Sequence, residues 1–204
     1  MRMHGPLRLT RRAAGEMQQC RRRRLGWTNL VVFVCFAERP CKIARPVRKS
    51  YSRSVNDQPR LQTAFTKLTA EEVWLRFFAP KKTLSHFAVV RFTQIDYDRD
   101  MCLILTEPGR PRQTEIFGVA NLIADPDNRS AEYAIVVRHD VVGLGLGIAL
   151  MRRIIDYARY RGIKEILGDV LEENRPMLKL CKILGFSQSR VPDDPGVTRV
   201  TPKL

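Results

Sequence analysis

Residues 141–150 read VVGLGLGIAL: three glycines alternate with leucines, after an apolar run and before a stretch with helical spacing. Glycine weakens regular structure, so three in five residues mark a backbone that takes a special conformation or is approached closely. Downstream, Ile148, Met151, Ile155 and Ala158 recur at helical intervals until Gly162 supplies a stop. Upstream, "AEYAIVV" (131–137) reads as a strand. A strand, a glycine turn and a helix together present free N–H groups and the positive end of a helix dipole at one point. That is an anion site.

Three phosphate-bearing ligands use such a turn. A nucleoside triphosphate wants G-x-x-x-x-G-K-[ST], but Ile148 and Ala149 follow Gly147. A dinucleotide wants G-x-G-x-x-G, which needs glycine at Ile148 or Leu150, depending on the starting glycine. Asp169, at the end of the next strand, could imitate that motif's ribose-binding acid. The pyrophosphate of coenzyme A is the third candidate.

Working outward, "LQTAFTKL" (61–68) places Leu61, Phe65 and Leu68 on one helical face. "LTAEEVWLRFFAP" follows, with Thr69 as N-cap and Glu72 completing a capping box, and Pro80 as the stop. "KIARPV" (42–47) permits a first strand. "MCLILTE" and "EIFGVANLIAD" read as strands joined by the turn "PGRPRQ". "DPDN" turns the chain into the strand before the glycines, and "EILGDVL" is the strand after them. Asn174 then caps a helix with Pro176 in its first turn, Met177, Cys181 and Leu184 on its buried face, and Gly185 at its end. "GVTRVTPKL" permits a last strand. The order is strand, two helices, three strands, helix, strand, helix, strand, an α/β or α+β domain over residues 43–204.

The net charge of +15 is unevenly placed. Residues 1–60 hold 15 Lys and Arg against 3 Asp and Glu, whereas the remaining residues hold 21 against 18. The basic character belongs to the front, which argues against a nucleic-acid-binding core. Residues 1–42 are expected to form a basic, disordered extension. Its apolar run from Leu25 to Ala37 is 13 residues long, short of the roughly 20 that span a bilayer, so no membrane association is expected. Cys20, Cys35, Cys41, Cys102 and Cys181 are odd in number and lack a CxxC pair, and His4, His86 and His139 are scattered. Neither a disulfide framework nor a metal site is indicated, and a reducing cytoplasm is the expected setting.

The run from Ala131 to Phe186 resembles the core of the GCN5-related N-acetyltransferase (GNAT) superfamily. There a strand leads into [QR]-x-x-G-x-[GA] and a helix, then a strand, an asparagine and a helix ending in "GF". Val142 departs from the Gln or Arg of that motif. "LTAEEVWLRFFAP", "GVANLIADPDNRSAEYAIVVR" and "GDVLEENRPMLKL" are similar, more narrowly, to the acetyltransferase domain of bacterial protein lysine acetyltransferases of the Pat type. The resemblance implies the GNAT fold, a mixed central sheet flanked by helices, and acetyl-CoA as co-substrate without a metal. It implies an acceptor lysine on a metabolic protein, such as an acyl-CoA synthetase. Small amines, or a non-catalytic acetyl-CoA sensor, are the alternatives.

Carried over position by position, the resemblance makes Glu132 the general base. A lysine amine, with a pKa of about 10.4, must lose a proton before it attacks. Ile135 and Val137 match positions whose backbone contacts the acetyl-pantetheine arm. Val142, Gly143, Leu144, Gly145, Leu146 and Gly147 match the pyrophosphate loop, and Asn174 a coenzyme-A contact. Cys181 stands where many members carry a tyrosine that protonates the leaving thiolate. A buried cysteine on an apolar helix face is read as packing and left out of the mechanism.

Overall fold

Alternating apolar stretches between residues 100 and 137 build three consecutive antiparallel strands: β2 (Asp100–Thr106), β3 (Ile116–Ala124) and β4 (Ser130–Val137). In the computed structural model, the described residues are 31–35, 58–93, 96, 98–106 and 113–204, with the backbone alone described at 31–35 and 91–93. The expected strand over 42–47 and the turn over 108–113, save its last residue, lie outside these residues. Within the apolar run near the front, Val31–Cys35 forms β1 and pairs antiparallel with β2, so this part of the expected extension joins the sheet.

Among the described residues, three helices follow β1. The first is α1 (Gln58–Thr66), whose Leu61 and Phe65 are buried. The second, α2 (Ala70–Phe77), opens on the expected capping box: Thr69 Oγ1 accepts from the Glu72 N–H at 3.1 Å, and Glu72 Oε2 from the Thr69 N–H at 2.6 Å. It ends at Phe78, in the left-handed region with φ 56°, two residues before Pro80. The third, α3 (His86–Thr93), was not anticipated, because its valine-rich "HFAVVRFT" has no helix signal beyond Ser85.

After β4 come α4 (Leu146–Arg161), β5 (Glu165–Leu171), α5 (Arg175–Ile183), β6 (Ser187–Val191) and β7 (Asp194–Thr201). Gly162 closes α4 in the left-handed region, and Gly185, with φ 78°, follows α5. The described residues form a seven-stranded sheet ordered β1-β2-β3-β4-β5-β7-β6. Only β4 and β5 run parallel, and they pair over just Ser130↔Glu165, Ala131↔Ile166 and Glu132↔Leu167. The main core lies between the sheet and α4 and α5, with Leu122, Leu150, Met151, Ile154, Ile166 and Cys181 at its centre. A smaller cluster of Leu61, Ile104 and Ile116 lies on the face toward α1.

This mixed, mostly antiparallel sheet is not the doubly wound parallel sheet that a dinucleotide fold requires. Asp169 is engaged in a two-point ion pair with Arg199, both contacts at 2.8 Å. The dinucleotide reading falls on both counts.

Candidate active site

The site is organised by the place where β4 and β5 part. On β4, Ala131 and Tyr133 are buried toward α4 and α5, and Ile135 and Val137 pack against the same core. Glu132, Ala134 and Val136 therefore share the opposite face, beside α1 and α2. Glu132 is exposed, opposite Ile123 on β3 and Leu167 on β5. No described residue hydrogen-bonds or ion-pairs with its carboxylate, which leaves it available to a ligand.

The backbone obeys the same alternation. The Arg138 N–H donates to the Phe117 carbonyl at 2.8 Å, continuing the β3–β4 register. Antiparallel strands exchange bonds at every second pair, so residues 132, 134 and 136 direct their backbone groups at β3. The Arg129 carbonyl, of the other parity, accepts from the Lys164 N–H at 2.8 Å on the β5 side. Ile135 and Val137 thus direct their backbone groups toward β5, beyond the last β4–β5 pair. Both residues face a gap.

Tyr133 stands at the mouth of that gap. A Cβ added to Gly168 would lie 2.6 Å from its ring, so β5 keeps a glycine where the tyrosine crosses it. The Tyr133 hydroxyl lies 3.6 Å from Cys181 Sγ. Burial, then the neighbouring Cys181, pushes the tyrosine far above its ordinary range, and burial also pushes the Cys181 thiol up. Cys181 is therefore held as a thiol, which fits a packing residue and not a nucleophile.

The glycine loop is anchored at both ends. Before it, Arg138 donates to Asp140 through Nε at 3.0 Å and through a second nitrogen, and donates to Glu115 as well. Its guanidinium also lies over the Phe117 ring, 5.0 Å from the centroid. The His139 N–H donates to Glu72 of α2. After the loop, α4 starts at an N-cap, Gly145, that offers no side-chain bond. The N–H groups of Leu146, Gly147 and Ile148 thus have no intrahelical acceptor. Gly143 and Gly145 adopt φ 87° and 76°, and nothing lies within 4 Å of where their Cβ atoms would be. Gly147 is different: its Cβ would meet Leu180 Cδ1 of α5 at 2.8 Å, so its smallness serves helix packing. Val142 is extended and exposed, and Leu144 is half-buried.

Asn174 caps α5, its Oδ1 accepting from the Met177 N–H at 3.2 Å. Beside it, Glu173 accepts from the indole N–H of Trp74 on α2. Through Glu72 and Trp74, α2 is tied to the chain following each of the two parting strands. These ties were not foreseen, because the capping-box pattern accounts for Glu72 locally and nothing marks Trp74. Arg76, one turn further on, is half-buried on this same face. Burial pulls its guanidinium below the ordinary range, while the charges of Glu132 and Cys102 oppose that shift.

An open helix N-terminus, a left-handed glycine loop with free space over it and a strand gap lined by backbone groups suit a cofactor with a pyrophosphate and an extended arm. The model of the acetyltransferase (GNAT) family matches residues 67–186, from the end of α1 to the residue after Gly185. The chain belongs to the GNAT family. It is an acetyl-CoA-dependent N-acetyltransferase. Acetyltransferase PA5475 of Pseudomonas aeruginosa is 30% identical over 154 residues, covering 74% of this chain and 78% of that protein. The GNAT domain of S. lividans PAT is similar in structure, with a TM-score of 0.67 and 29% identity over 76% of this chain and 89% of that one. The spermidine N-acetyltransferase of Vibrio cholerae, solved with CoA and spermine, has a TM-score of 0.59 at 17% identity. It covers 74% of this chain and 92% of that one, and shares the fold alone. The GNAT fold expected from the sequence is the one observed.

Proposed function

We propose that this GNAT domain transfers the acetyl group of acetyl-CoA directly to a lysine side chain of a protein, with Glu132 as general base. The observation that carries the mechanism is the free carboxylate of Glu132, on the strand that borders the gap and on the face opposite the core. The thioester supplies an activated acetyl group. Glu132, directly or through a water, takes the proton of the lysine ammonium, and the neutral nitrogen forms the C–N bond as the C–S bond breaks; coenzyme A leaves as its thiolate, which takes up through water the second proton that the nitrogen sheds. The N–H groups of Leu146 to Ile148 and the backbone of Gly143 and Gly145 would hold the pyrophosphate. Backbone groups of Ile135 and Val137 would hold the arm and polarise the carbonyl. The Asn174 side-chain NH₂, which no described residue engages, is free to meet the same ligand.

The acceptor assignment rests on the likeness to Pat-type acetyltransferases, supported by the similarity to the GNAT domain of S. lividans PAT. A metabolic enzyme such as an acyl-CoA synthetase is the acceptor this reading favours. A polyamine fits less well, since the unpaired Arg76 lines the groove beside the site. The test is incubation of the protein with labelled acetyl-CoA and a cell lysate, followed by mass spectrometry. Protein lysine acetylation is expected to fall about 10²- to 10⁴-fold with Glu132→Gln, while acetyl-CoA affinity by calorimetry stays unchanged. Label appearing only in small molecules would overturn the lysine reading, and an unchanged rate would remove Glu132 from the mechanism.

A further inference from the structure

On the Glu132 face of the sheet, α1, α2, β3 and β4 line an open groove. Its walls are largely apolar, with Leu61, Phe65, Phe77, Val119 and Val136 among them. Arg76 projects from the last turn of α2 into this lining. Its guanidinium lies over the Phe77 ring, 5.0 Å from the centroid. Such stacking uses the face of the guanidinium and leaves its N–H edges for a planar acceptor.

Several arginines elsewhere among the described residues hold carboxylates. Arg138 pairs with Glu115 and Asp140, Arg161 with Asp98, and Arg199 with Asp169. Arg76 closes no ion pair or hydrogen bond with any described residue. The carboxylate whose charge acts most on it is Glu132, and no Arg76 nitrogen comes within the 4.0 Å of an ion pair with it. A guanidinium set into an apolar wall is costly unless an anion meets it.

We infer that Arg76 reads the acceptor, its guanidinium binding a carboxylate that the acceptor carries near the amine presented to Glu132. The inference rests on Glu132 marking the transfer face, as in the function proposed above. Glu132 and Arg76 form a negative and a positive pole that feel each other's charge but are unpaired. An acceptor with an ammonium and a carboxylate a few bonds apart matches both poles, and a polycation matches only one. In a protein, this is a lysine with an aspartate or glutamate nearby. Among small molecules it is an amino acid. The apolar walls next to Arg76 accommodate the aliphatic or aromatic part of either.

Matched acceptors separate this inference from the identity of the substrate. One set is lysine peptides with glutamate or glutamine placed one to four residues from the lysine. The other is phenylalanine against phenylalaninamide. Initial rates are measured at saturating acetyl-CoA for the parent, Arg76→Gln and Arg76→Lys, with acetyl-CoA affinity and thermal unfolding as checks of folding. In at least one set, the parent is expected to favour the carboxylate member about tenfold or more in kcat/KM, through KM. That preference is expected to collapse in Arg76→Gln and to return in part in Arg76→Lys. Equal use of carboxylate and amide members by the parent would overturn the inference. So would a preference that survives in Arg76→Gln, or a lack of transfer to every acceptor. An Arg76-dependent preference confined to phenylalanine would uphold it and retire the lysine reading.

Discussion

Gly143, Gly145 and Gly147 stand two residues apart, yet a methyl group added to each meets a different obstacle. At Gly145 the obstacle is the backbone, because φ 76° is a conformation that costs an L-residue about 1–2 kcal/mol. At Gly147 it is the flexible end of Leu180, which can turn aside, and alanine there also gains about 1 kcal/mol of helix propensity. Gly147→Ala is therefore expected to leave stability within about 0.5 kcal/mol of the parent and to keep acetyl-CoA affinity. Gly145→Ala should lose about 1–2 kcal/mol in urea unfolding and bind acetyl-CoA more weakly, because the loop relaxes out of the left-handed region. Comparable affinity losses for both variants would contradict this division. The sequence spacing marks all three as one loop. It cannot separate them, because the deciding neighbour of Gly147 lies on another helix. Arg76 escaped notice for a similar reason: an arginine in "VWLRFF" reads as an exposed helix residue until β4 is packed beside it.

At the scale of elements, the legible parts were those with a strong local pattern. The capping box of α2, the Asn174 cap of α5 and the continuous apolar run of β3 are all written in adjacent residues. The β6 segment "SQSRV" is not, because its residues are almost all exposed and its strand state comes from pairing with β7. The join between β4 and the glycine loop depends on Arg138 and its two carboxylates. Lys67 and Arg138 hold Glu115 below the ordinary carboxylate range, and Arg138 holds Asp140 there. A carboxyl that is harder to protonate folded than unfolded stabilises above its unfolded pKa, and the gain is lost as pH falls through the lowered value. The window therefore lies at and below about pH 4. Arg138→Met is expected to cost about 1 kcal/mol at pH 7, a modest figure because both carboxylates are partly in solvent. That deficit should shrink on acidification, as read by urea unfolding from pH 7 to pH 2.5; a deficit independent of pH would show that packing on Phe117 dominates. Where β4 meets β5, Gly168→Ala forces a methyl group into the Tyr133 ring. It should cost about 1–3 kcal/mol and be partly rescued by Tyr133→Leu. An unchanged melting temperature for the single variant would show that the ring is free to move.

At the scale of the whole molecule, the basic front of the chain and the catalytic domain are not cleanly divided at residue 43, since Val31–Cys35 forms the edge of the sheet. Removing residues 1–30 is expected to leave acetyl transfer and thermal unfolding unchanged. Removing residues 1–36 strips β1, exposes the backbone edge of β2 and should lower the melting temperature by several degrees. Equal melting temperatures for the two truncations would mean that β1 contributes nothing to the fold. The glycines, the strands β2 to β5 and the ends of α2, α4 and α5 are readable in the sequence. The first strand is not, because an apolar run preceded by arginines looks the same in an edge strand as in a leader.

The single parallel junction has a kinetic consequence. Three residue pairs join an antiparallel leaf of β1 to β4 to a second leaf of β5 to β7. Within β2 to β4 every contact closes a short loop, while the junction must wait for the crossover through α4. Folding is therefore expected to run leaf by leaf, with amides of β2 to β4 protected from exchange before those of Gly168 to Leu171 in pulse labelling. The cofactor gap would then be the last part of the chain to take shape, and acetyl-CoA should slow unfolding far more than it speeds folding.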